Sequence, residues 1–129
     1  MGKQLSRRRN MTDKMVIVCN SDSAGVMPTV IMGSSGVALG SEVIIFFCPS
    51  GANVLLKGEL EKFQGKKGLP DPVELFDTIL NEGGRIILCE LALEAKDIKK
   101  EDLRDERIEI LNAPSFLLDA EGAGITLTF

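Results

Sequence analysis

The apolar runs are what most restrict the fold of this chain. Met15-Val-Ile-Val-Cys19 is continuous rather than alternating, the pattern of a strand covered on both faces. Val43–Phe47, closed by Cys48, is the clearest second strand, and Arg85–Cys89 is a third. Ile108–Leu111 and Ile125–Phe129 supply a fourth and a fifth. Helical segments fall between them, and this strand–helix order predicts a three-layer α/β/α domain around a five-stranded, mostly parallel sheet. At 129 residues the chain suits one such domain, expected over residues 15–129.

Each of the first three strands ends in a cysteine, and these are the only cysteines present. In an open parallel sheet the carboxyl ends of the strands share one edge, where ligands and catalytic groups gather. Right-handed crossovers place these three ends on a common side. Histidine is absent, which removes the usual proton shuttle and ordinary Cys-His mechanisms. Chemistry at this edge therefore belongs to sulfur.

Several helices can be placed. Ala24–Leu39 forms the first, with Pro28 tolerated if it falls in the opening turn. Gly33 and Gly36 within it suit close packing and lack the frame of a phosphate loop. A short helix is expected near Asn53–Leu60, followed by an exposed, mobile bridge over Phe63–Leu69. Asp71-Pro72-Val73-Glu74 reads as a capped helix start with proline in the first position and Glu74 closing a capping box. Glu90–Lys96 and Pro114–Ala120 complete the set.

Cys89 is the leading catalytic candidate. A helix starting directly after it would direct free N–H groups at a thiolate or persulfide. Glu90 and Glu94 oppose this unless they point away, and a buried structural cysteine is the competing reading. Cys48, in Cys48-Pro49-Ser50-Gly51, could receive sulfur from Cys89 if their strands are neighbours. Cys19 reads as a small core residue. Asn20, Ser50, Asn112 and Ser115 form a candidate polar rim for substrate, although Asn112 also suits the cap of the last helix. Long cysteine spacings and the lack of a CxxC pair argue against zinc. No cofactor motif occurs.

The formal charge of -4 argues against a general nucleic-acid surface, despite Lys3 and Arg7–Arg9. Residues 1–14 are read as a flexible leader. No apolar run approaches the roughly 18 residues of a membrane span, and no secretory pattern precedes the first strand, so a cytoplasmic site with reduced cysteines is expected.

Taken together, Ala38-Leu39-Gly40, the Glu42–Gly51 segment, Cys89 with Glu90–Ile98, Lys99–Leu103 and Ala113–Leu117 resemble the DsrE/DsrF-like family of small sulfur-relay proteins. The resemblance spans Met15–Phe129. It implies a trimer or hexamer, a sulfur-carrying cysteine at Cys89, and protein partners that donate and accept persulfide sulfur. The chain departs from a branch with a methionine-rich helix after the cysteine, having Glu90-Leu-Ala-Leu-Glu94 there. Cys48-Pro49 stands where that branch carries a threonine-aromatic segment. A noncatalytic assembly subunit that binds a small ligand or protein, and a nucleotide-binding regulatory module, are the competing functions.

Overall fold

The computed structural model describes residues 13–129, and the expected leader lies almost wholly outside them. Strands β1 (Lys14–Cys19), β2 (Glu42–Phe47), β3 (Arg85–Cys89), β4 (Glu109–Leu111) and β5 (Ile125–Thr128) form one parallel sheet in the order β4-β3-β2-β1-β5. Among the described residues four α-helices accompany them: α1 (Val26–Ala38), α2 (Pro72–Asn81), α3 (Leu91–Ala95) and α4 (Ala113–Ala120). The expected three-layer architecture and all five strands are present. β1 starts one residue ahead of the expected position, at Lys14.

The two faces of the sheet are covered unequally. Met15, Ile17, Val43, Ile45, Phe47, Ile86 and Leu88 point into a large core with α1, α2 and α3. The alternate residues Val16, Ile44, Phe46, Ile87 and Cys89 face a smaller cluster closed by Phe116 of α4. Phe46 and Phe116 stack with ring centroids 4.2 Å apart. This one aromatic contact anchors the short helix to its face of the sheet.

Local signals place the helix starts well. Pro28 falls in the first turn of α1. The Asp71 carboxylate accepts a 2.9 Å bond from the Val73 N–H and Pro72 opens α2, although Glu74 makes no reciprocal bond. Gly33 serves packing, since a Cβ there would stand 2.7 Å from Ile45 Cδ1.

The helix expected over Asn53–Leu60 does not form. Tight 3-10 turns cover Pro49–Leu55 and Leu60–Phe63 instead. Leu56 is drawn into extended backbone by an antiparallel bridge to Leu103, and Gly58 then takes a positive φ of 82°. A long-range backbone pairing thus overrides local helical preference.

Candidate functional site

The strand order sets the three cysteine-bearing strands side by side as β3-β2-β1. All three cysteines stand at the carboxyl edge. The pleat then divides them. Phe47 pairs with Leu88, and one step further along the same register stand Cys48 and Cys89. Both belong to the cluster beneath α4. Cys19 instead faces the larger core, fully buried, with its thiol 3.5 Å from the Ser21 carbonyl oxygen. Cys48 and Cys89 therefore share a site, and Cys19 is a core residue.

Cys89 occupies a topological switch point. Chain leaving β3 turns toward the face of α1–α3, whereas chain leaving β4 turns to the opposite face and enters α4. Crevices of open α/β sheets form where neighbouring strands send their connections to opposite faces. Cys89 pairs with Leu111, the last residue of β4, and stands at that divergence. Its side chain is only 4 % exposed and is backed by an apolar wall that includes Phe46 and Phe116.

The expected helix directly after Cys89 forms, with Glu90 at its N-cap, but it is short. α3 has five residues, and the Glu90 N–H already donates to the Leu111 carbonyl at 2.9 Å. A helix this short develops little macrodipole, so it lends an anion at Cys89 little electrostatic support. Glu90 and Glu94 are both exposed to solvent, which removes the crowding by carboxylates that the sequence raised.

Cys48 is half-buried and is the more accessible thiol of the pair. Burial pushes its pKa up, and negative charge on Cys89, then on Cys19, would push it further. The three sulfurs do not converge, and among the described residues no group of three His, Cys, Asp or Glu side chains could hold a metal ion.

The residues expected to form a polar rim are largely engaged with one another. The Ser50 hydroxyl donates to the Asn20 side chain and carbonyl, tying the loop after β2 to the loop after β1. Asn112 Oδ1 accepts the Ser115 N–H at 2.8 Å, so this pair caps α4. Asn20 and Ser50 flank Cys48, whereas Asn112 lies beyond Cys89 on the β4 side.

Asp22 and Asn53, which help hold the rim together, were not anticipated as parts of the site, whereas Gly51 closes the expected Cys48–Gly51 segment. Asp22 accepts from the Asn53 backbone and side-chain nitrogens at 3.2 and 3.3 Å. Gly51 presses onto β1, since a Cβ there would stand 2.7 Å from the Cys19 carbonyl oxygen. Glycine directly after a strand-ending Cys-Pro-Ser was the available signal.

A separate open hollow of about 820 Å³ is lined by Lys57, Lys100, Arg104, Arg107 and neighbouring acids. Ile108 on its wall leads into the amino end of β4, away from the cysteine edge. Arg104 is paired with Glu61 and Arg107 with Asp105. Both arginines of the hollow are thus held by carboxylates of the same chain.

No family model matches the chain. Over 89 residues it is 33% identical to the uncharacterized protein MJ0760 of Methanocaldococcus jannaschii, a stretch that covers 69% of this chain and 32% of that protein. The chain thus spans about a third of the length of this curated relative. Its fold is similar to that of the ychN protein from E. coli, with a TM-score of 0.71, 15% identity, and coverage of 92% of this chain and 100% of the other. It is also similar to MTH1491 from Methanobacterium thermoautotrophicum, a protein of unknown function, with a TM-score of 0.63, 14% identity, and coverage of 90% and 98%. These structural likenesses show a shared fold. Among the described residues no helix is long and apolar enough to cross a membrane.

Proposed function

We propose that the chain is a DsrE/DsrF-like sulfur carrier that holds persulfide sulfur on Cys89 and passes it to a protein partner. The observation that carries this reading is the adjacent placement of Cys48 and Cys89 on one face of the carboxyl edge, at the switch point of the sheet. The family resemblance of the sequence supports it, and the shared fold agrees with it. Cys48 is the outer thiol and a neighbouring receiver. A cytoplasmic location would keep both thiols reduced between cycles. Leu117 and Leu118 on α4 are 64% and 73% exposed, which suits the trimer or hexamer implied by the resemblance.

The test is intact-mass analysis after incubation with a persulfide donor. One labile added sulfur on the wild type, absent from Cys89→Ala with fold retained, is the expected result. Equal loading of both proteins would reject Cys89 as the carrier. Access and leaving-group chemistry both govern exchange, so alkylation of Cys89 alone would not substitute for this measurement.

The near-complete burial of Cys89 favours one competing reading, a noncatalytic assembly subunit. That reading predicts no loading in either protein while the same donor loads a known acceptor in parallel.

A further inference from the structure

We propose that Cys48 and Cys89 form a reversible dithiol–disulfide couple, with Cys48 as the entry thiol and Cys89 as the resolving thiol. The couple shares its cysteines with the sulfur-carrier reading but does not depend on persulfide chemistry.

The geometry supports the bond itself. The two residues directly follow Phe47 and Leu88, the last matched pair of the adjacent parallel strands β2 and β3. Neighbouring strands lie about 4.8 Å apart, inside the Cα window of about 4.4–6.8 Å for a disulfide. Both side chains belong to the same face, and both thiols are free. Cys19 is excluded because the pleat turns it into the opposite core.

Exposure sets the order of events. Cys48 is half-exposed, whereas Cys89 is only 4 % exposed behind Phe116 and Phe46. A low-molecular-weight disulfide therefore meets Cys48 first. The Cys48 thiolate attacks one of its sulfurs, forming a mixed disulfide and expelling one thiolate. The deprotonated Cys89 sulfur then attacks the Cys48 sulfur, closing the protein disulfide and expelling the second thiolate. The two protein thiols lose two electrons, and the small disulfide gains them as two thiols that take up the released protons. Excess small thiol runs the sequence backwards. While closed, the bond withholds Cys89 from incoming sulfur, which makes the site responsive to thiol–disulfide poise.

The test exposes the reduced full chain, without oxygen, to mixtures of reduced and oxidised glutathione, followed by acid quenching, alkylation and mass analysis. Wild type should become lighter by two hydrogen atoms before alkylation, with peptide mapping linking Cys48 to Cys89 and with Cys19 still free. Excess reduced glutathione should restore both thiols. Cys89→Ala should stop at a Cys48–glutathione adduct, Cys48→Ala should lose the internal bond, and Cys19→Ala should close as wild type does. A persistent glutathione adduct on wild-type Cys48, a bond involving Cys19, or three thiols that stay reduced in fully oxidised glutathione would each overturn the proposal. Sulfur loading of the reduced wild type is scored separately. Closure without loading rejects the carrier reading alone, and loading without closure rejects the couple alone.

Discussion

The Cys48 N–H donates to the Cys19 carbonyl oxygen at 3.0 Å, yet the two side chains lie on opposite faces of the sheet. Backbone proximity and chemical proximity are separate here, because successive side chains along a strand alternate between faces. Cys48 is therefore joined to Cys19 through the ladder and to Cys89 through the site. The functional pair is chosen by the pleat.

Cys19→Ala should leave the pairing of Cys48 with Cys89 intact, with at most a small change in the reactivity of Cys48, for which Cys19 is the smallest of the causes that raise the pKa. It removes one buried heavy atom, for which a loss of roughly 0.5–1.5 kcal/mol of stability is expected. Urea unfolding measures the loss, and alkylation rates of Cys48 in the folded protein provide the control. A large change in those rates would show that Cys19 contributes to the site.

The Cys48 thiol should titrate above the ordinary cysteine value. Its folded-state pKa is raised, first by burial and then by the neighbouring sulfurs. The folded protein consequently holds this proton more tightly than the unfolded chain, in which cysteine titrates near about 8.5. The resulting stability is present in full below that value and is lost as pH rises through the folded pKa. Alkylation of Cys48 against pH, followed by peptide mass analysis, should show a midpoint above about 8.5. A midpoint at or below the free-thiol value would contradict the burial of this group.

Phe116→Ala should both destabilise the domain and open Cys89. Phe116 is 5% exposed and forms the stacked contact with Phe46. Truncating a buried phenylalanine costs about 3–5 kcal/mol, read from denaturant unfolding. In the folded fraction, Cys89 should react faster with a thiol reagent while Cys19 stays protected. Unchanged Cys89 reactivity would mean that α4 does not control access to it.

Gly51→Ala should disturb the rim through the backbone of β1. The added Cβ would meet the Cys19 carbonyl oxygen at 2.7 Å, a contact that neither loop can relieve by rotating a side chain. A loss of about 1–3 kcal/mol is expected, as for other overpacked sites. Faster alkylation of Cys48 should accompany it, since the Ser50–Asn20 tie lies next to the displaced segment. Wild-type stability and wild-type Cys48 rates would refute the packing role.

Much of this protein follows from local sequence. Apolar runs such as Val43–Phe47 define the five strands, Asp71-Pro72 starts α2, and the three strand-ending cysteines lie at one edge because the strands are parallel. These features depend on residues within a few positions of one another, where periodicity and capping act. The turns after Cys48 were not legible, because the Leu56–Leu103 bridge joins residues far apart in the chain. The sequence read Cys19 as a core residue and offered Cys89 as the partner of Cys48 only on the condition that their strands are neighbours. Strands buried on both faces are apolar at every position, so they carry no alternation that marks which way a side chain points. Strand order and register supplied that information, turning Cys19 into one core and Cys48 with Cys89 into the other.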